Sequence, residues 1–333
     1  MKVLIVDHEQ VRQLLPMKEC INGMQEMFET MARGEAILPL RQMLRQPDQR
    51  GLLAVMPGFL GNPKAIGAKV ITVFPGNLET RYDSHQGAVL LFETENGRLL
   101  SINDATSITA TRTAAVSAVA TRALARKDSS TVAILGSGTQ ALKHVEAMLA
   151  VLNIKKFRVW SRNRDHASRM ARKANSLFDL KIEETSSARE AVTGADVICT
   201  TTSAKEPILN GEWIAEGAHI NAVGYFSPSS RELDSEAVAR SSLFVDRRES
   251  TINEAGEFRM ARDEGKIDDS HIKGEIGDVL IGKVPGRRDG AEITLFRSLG
   301  IATEDVAATM KIYKNSLSKN IGNWVEFSAE REV

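Results

Sequence analysis

The strongest constraint on the fold is a short apolar run, Thr131-Val132-Ala133-Ile134-Leu135, that ends in Gly136-Ser137-Gly138-Thr139-Gln140-Ala141. The first glycine permits a tight turn, the second lets backbone approach a pyrophosphate, and a small third residue lets the following helix lie close on the strand. The N-terminus of that helix then faces the ligand's negative charge. Further apolar runs at 157–160, 197–200, 220–223 and 243–246 are separated by helical segments. This alternation predicts an α/β fold with a Rossmann-type doubly wound parallel sheet over residues 116–300, binding a nicotinamide dinucleotide.

A chain of 333 residues exceeds the size at which one core usually stops growing, so a second domain is expected. Residues 1–115 read as an opening strand, an amphipathic helix over 17–33, and β-like runs at 52–56, 68–73 and 88–92 punctuated by turn dipeptides. A stretch rich in Ala and Thr, 105–125, reads as a connecting helix. Residues 250–333 read as mostly helical, with the segment 294–300 leading into a helix that returns to the first domain. The expectation is a discontinuous β-rich α+β domain made of 1–115 with about 300–333. Over the whole chain 43 basic and 43 acidic side chains cancel, which leaves no electrostatic case for a nucleic-acid or membrane-surface partner. Two cysteines, Cys20 and Cys199, show no metal-ligand spacing, so no metal is expected and a reducing cytoplasm fits. The apolar run at the N-terminus is too short for a signal-peptide core, and no stretch reaches the length of a membrane span.

The end of the second Rossmann strand decides between cofactors, because a carboxylate there binds the ribose 2′-hydroxyl and repels a 2′-phosphate. Here the residues are Ser161-Arg162-Asn163. A guanidinium without a carboxylate favours NADP(H). NAD(H) stays open if Arg162 and Arg164 only solvate a loop.

Several ordered segments carry a family resemblance: 53–59, Gly67-Ala68-Lys69, Ser84-His85-Gln86-Gly87, 109–115, the glycine turn, Asn221-Ala222-Val223-Gly224, Arg231-Glu232-Leu233-Asp234 and 294–300. Together they resemble the ornithine cyclodeaminase and mu-crystallin family over nearly the whole chain. The resemblance implies a homodimer, a Rossmann domain beside a β-rich substrate and dimerisation domain, and hydride transfer at the α-carbon of amino or imino acids. It implies that Lys69 is catalytic and touches substrate, and that Arg112 and Arg41 hold the substrate carboxylate, with Arg45 an alternative to Arg41. It also implies cofactor contacts from Ser84, His85, Arg112, Thr113, Gly136, Gly138, Thr139, Gln140, Ser161, Arg162, Asn163, Thr201, Thr202, Val223, Gly224 and Ser298. On residue type alone, Lys69 would be a solvent-facing strand residue, Arg112 a helix-surface charge, His85 a structural hydrogen-bonding residue and Asp104 a helix cap.

The chain departs from the family pattern at Phe226, where cyclodeaminases carry an aspartate. Phenylalanine cannot accept a proton, so cyclisation of ornithine with release of ammonia is disfavoured, and the ring is expected either to line the substrate pocket or to pack into the core. The expected activity is an NAD(P)H-dependent reductase of α-imino acids. The alternatives are an ornithine or lysine cyclodeaminase, and a non-catalytic protein that binds NADPH and a small molecule as mu-crystallin does.

Overall fold

The computed structural model describes residues 1–224 and 227–328, the side chains of 78 and 79 excepted. In chain order the strands are β1 (Lys2–Val6), β2 (Ala36–Ile37), β3 (Gln42–Arg45), β4 (Leu52–Gly61), β5 (Lys64–Val73), β6 (His85–Phe92), β7 (Leu99–Asp104), β8 (Thr131–Leu135), β9 (Lys156–Trp160), β10 (Ile182–Glu184), β11 (Val197–Thr200), β12 (His219–Ala222), β13 (Ser242–Val245), β14 (Ile272–Glu275), β15 (Thr294–Arg297) and β16 (Asn323–Glu326). The helices used below are α1 (His8–Leu14), α2 (Met17–Ala32), α3 (Ala105–Leu124), α4 (Thr139–Leu149) and α5 (Arg164–Phe178), with α6 to α10 short and α11 (Ala302–Lys319) long. Contacts divide the chain into two compact units, Met1–Arg112 with Ile301–Val333, and Thr113–Gly300.

The first unit is a mixed sheet in the order β16-β1-β7-β6-β5-β4-β2, with β3 also paired to β4. Its burial alternates with the two-residue period of a strand. On β5 the residues Ala65, Gly67, Lys69, Ile71 and Val73 are buried while their neighbours are partly or fully exposed. The buried face is covered by α11 and α2. Two glycines set how closely α11 approaches: a Cβ on Gly58 would stand 3.1 Å from the Ala302 side chain, and one on Gly67 would stand 3.1 Å from Val306 Cγ2. Asp104 caps α3, its Oδ2 accepting from the Ser107 backbone N–H at 2.8 Å.

The second unit is an all-parallel sheet in the order β10-β9-β8-β11-β12-β15-β13-β14. From β8 the chain winds outward through β9 to β10, then returns to build β11, β12 and β15 on the other side. This reversal is the topological switch point where open α/β sheets bind ligands, at the carboxyl ends of β8 and β11. The central strands are buried on both faces, with Ile198, Ile220 and Leu295 in one core. Sequence reasoning recognised β8, β9, β11, β12 and β13 and missed β10, β14 and β15. The expectation of a mostly helical final region is corrected by β14, β15 and β16, strands of only four residues whose pairing comes from the sheet they join.

Candidate active site

In the second unit, the glycine turn takes the form its residues require. Gly136 has φ +131, and a Cβ there would collide with the Thr201 side chain and approach its backbone oxygen to 3.0 Å. Gly138 caps α4 without a side-chain hydrogen bond, and a Cβ on it would meet no protein atom. A closed gap at Gly136 and open space at Gly138 fit a turn that packs against protein on one side and receives a phosphate on the other. Thr139 and Gln140 begin the helix behind it, and fully buried Ala141 lets that helix seat on the sheet. Ser137 Oγ donates to Ser161 Oγ at 2.9 Å, tying the turn to the end of β9. Arg162 is exposed and makes no ion pair or hydrogen bond among the described residues, whereas the Asn163 side chain accepts from the His166 N–H as the N-cap of α5.

Around the other carboxyl ends the organiser is Glu232, which the sequence reading quoted only as part of a motif. Its Oε1 accepts from the backbone N and the hydroxyl of Thr202, both at 2.6 Å. Its Oε2 accepts from Thr200 Oγ1 at 2.7 Å and from Gly224 N at 2.9 Å. Burial raises the Glu232 carboxyl above its ordinary range against the pull of those donors. Gly224 has no room for a Cβ because the Glu232 carboxyl fills that space. Thr201 and Val223 bond back into the sheet through Leu135 O and Thr200 O. Thr113 is buried on α3, and Ser298 Oγ is buried at the end of β15 with no hydrogen-bond partner among the described residues. A second buried carboxyl, Asp246, accepts from the N–H groups of Leu299 and Gly300 at 2.6 and 2.8 Å and holds that segment.

The first unit carries a buried charge cluster. Lys69 is 3% exposed, so the reading of it as a solvent-facing residue is overturned. Its strand face is the one covered by α11, which a period of two cannot reveal without knowing which face is covered. Lys69 Nζ lies 3.4 Å from Asp305 Oδ1. Arg112, also buried rather than on a helix surface, donates from Nε to Asp305 Oδ1 at 3.1 Å and from Nη1 to Glu304 Oε2 at 2.6 Å. Burial lowers the Lys69 ammonium to about 8, with Asp305 opposing and the charges of Arg112 and Arg41 assisting. Arg41, partly buried just before β3, therefore acts on Lys69, whereas Arg45 is an exposed residue of β3. His85 accepts or donates at Nδ1 with Ser84 Oγ at 3.0 Å, and its carbonyl accepts from Thr106 Oγ1 at 2.8 Å. Burial, then Lys69 and Arg112, depress it to about 4, so it is neutral at neutral pH.

Three cations, Lys69, Arg112 and Arg41, face two carboxylates, Glu304 and Asp305. The acid pair was absent from the sequence reading. The available signal was two consecutive acids in the first turn of α11, flanked on both sides by residues such as Ala302, Val306 and Ala307 that no solvent-facing turn would carry. Phe226 lies outside the described residues. Among the described residues no group of three His, Cys, Asp or Glu side chains could hold a metal, and no helix is long and apolar enough to cross a membrane.

A Rossmann sheet with a phosphate-accepting glycine turn, accompanied by a buried lysine and arginine held by an acid pair, defines a class of dinucleotide-dependent enzyme. The chain belongs to the ornithine cyclodeaminase/mu-crystallin family, whose model matches residues 1–320. It is 41% identical over 280 residues to the ketimine reductase mu-crystallin of Mus musculus, covering 84% of this chain and 85% of that one. It superposes with a TM-score of 0.94 on the Delta(1)-pyrroline-2-carboxylate reductase of Thermococcus litoralis in complex with NADH and L-proline, at 36% identity over 96% of this chain and 99% of that one. An archaeal alanine dehydrogenase dimer with bound NAD gives a TM-score of 0.92 at 33% identity, covering 98% and 100%.

Proposed function

We propose that this protein is an NAD(P)H-dependent reductase that converts α-imino acids to α-amino acids and runs in reverse as an amino-acid dehydrogenase. The observation that carries this reading is buried Lys69, held between Asp305 and Arg112 with its ammonium lowered to about 8. A proton donor of that strength, beside a guanidinium that can orient a carboxylate, suits protonation of an imine nitrogen. The relatives named as ketimine and pyrroline-carboxylate reductases support the same chemistry. Arg112 and Arg41 hold the carboxylate of the substrate. The bound dinucleotide supplies hydride to the imine carbon. Lys69 delivers the proton to nitrogen, and the residue set 136–140, 201–202, 223–224 and Ser298 holds the cofactor, with Ser84, His85 and Thr113 toward its reactive end. Phe226, at the position where the family's cyclodeaminases carry an aspartate, supplies no carboxylate for cyclodeamination.

Exposed Arg162, with no carboxylate beside it, favours NADPH by pairing with a 2′-phosphate. The NADH and NAD of the two similar structures favour the other cofactor, so both belong in the assay. We also infer a homodimer working in the cytoplasm. The face of the first sheet away from α11 keeps Val55, Phe59, Val70, Leu90 and Phe92 only partly buried, an apolar surface that a second copy would cover.

The test follows absorbance of NADPH, and separately NADH, with five- and six-membered cyclic imino acids and with keto acids plus methylamine. Oxidation that prefers NADPH and falls by about 10²–10⁴-fold in Lys69→Ala is expected. Silence with every imine, together with ammonia release from ornithine, would replace this reading with a cyclodeaminase. Silence in both assays with tight NADPH binding would make the protein a carrier.

A further inference from the structure

We propose that Asp305, through the single oxygen that bridges Lys69 Nζ and Arg112 Nε, is the positioning residue that keeps Lys69 charged and aimed as the proton donor, while Glu304 orients Arg112. The inference deepens the reductase reading and rests on it. Asp305 sits at 0% exposure in the first turn of α11, and α11 is brought against β5 by Gly67, two residues from Lys69 on the same strand face. Among the described residues Asp305 Oδ1 is the only oxygen within reach of Lys69 Nζ, at 3.4 Å, and the same atom accepts from Arg112 Nε at 3.1 Å. Asp305 Oδ2 is buried and accepts no hydrogen bond among the described residues. No backbone N–H therefore shares the carboxylate's charge, which is spent on the two cations.

The charges that act on Lys69 come from three elements: Asp305 on α11, Arg112 on α3 and Arg41 before β3; Glu304 on α11 pairs with Arg112, and His85 on β6 is held neutral by burial and by the charges of Lys69 and Arg112. Only Asp305 favours the ammonium strongly; burial and both arginines oppose it. In reduction, the Lys69 N–H bond breaks and its proton joins the imine nitrogen as the carbon takes hydride from NAD(P)H. Lys69 then regains a proton from water. The reductive rate must fall as pH rises through the Lys69 midpoint near 8, and amine oxidation, which needs neutral Lys69, must rise through the same midpoint. Loss of the Asp305 charge moves both limbs to lower pH.

The experiment compares pH profiles of kcat/KM in both directions for the wild-type protein, D305N, D305E and E304Q. D305N is expected to shift both limbs down by about one unit or more, the usual effect of an opposite charge at this range. D305E, which keeps the charge, should retain the wild-type midpoint while losing rate through misplacement. E304Q should raise KM with a much smaller shift of midpoint. Competitive acetylation of Lys69 against other lysines, read by mass spectrometry across pH, reports the same midpoint without turnover. It therefore tests the inference even if no imine is reduced and the reductase reading fails. Should D305N not fold, D305E and E304Q carry the test: a midpoint that holds in D305E and moves down in E304Q would overturn the proposal. Identical midpoints in wild type and D305N, or an equal shift in E304Q, would overturn it.

Discussion

At the residue scale, the site depends on side chains whose meaning is set by what covers them. Lys69 and Arg112 are ordinary surface residue types placed at 3% and 4% exposure, and they are kept ionic by carboxylates that sequence reading did not pair with them. Removing one member of such a buried set costs about 3–5 kcal/mol, because the partner charge is left uncompensated in a poor solvent. Arg162 is the opposite case, an exposed guanidinium that makes no ion pair or hydrogen bond among the described residues. Arg162→Glu is expected to weaken NADPH by about 2 kcal/mol, roughly 30-fold, while changing NADH little, as measured by the ratio of KM values. An unchanged ratio would remove Arg162 from cofactor choice.

At the scale of elements, α4 joins the phosphate turn to the interior through His144. Its Nδ1 lies 2.7 Å from Gln140 O and its Nε2 lies 2.9 Å from Ser117 Oγ on α3. Burial depresses this imidazole to about 4 from the usual 6.5. Between those values the unfolded chain binds a proton that the folded protein refuses, so the contribution of His144 to stability is present above pH 6.5 and is lost as pH falls toward 4. The loss amounts to about 3 kcal/mol. His144→Gln lacks this dependence, so the stability gap between wild type and variant should narrow on acidification, as read by urea unfolding at several pH values between 4 and 7. A gap independent of pH would mean that His144 titrates normally. The buried carboxyls Glu232 and Asp246 are raised by burial and act in the opposite sense, which is why the variant comparison is the informative one.

At the scale of the whole molecule, the half-covered face of the first sheet predicts association. Sedimentation should give twice the chain mass of 36.5 kDa, and Leu90→Glu, which places a charge on that face, should shift it toward one chain. A monomer at micromolar concentration would sink the homodimer. The Rossmann sheet was legible before any coordinates because its signals are local: a strand, two glycines with different spatial demands, and a regular alternation of apolar runs. The helix 105–125 was legible for the same reason, an uninterrupted run of small helix-tolerant residues that forms α3. The four-residue strands β14, β15 and β16 were not legible, since so short a segment takes its conformation from the neighbours it pairs with. Nor was the acid pair, because Glu304 and Asp305 are 192 and 193 residues from Arg112 along the chain, and only the packing of α11 on a glycine-lined sheet face brings them to it. The sequence by itself determined where backbone must turn, where phosphate can approach and which residue types are available for acid–base work. Tertiary structure alone decided which face of β5 is buried, and burial is what turns a strand lysine into a tuned proton donor.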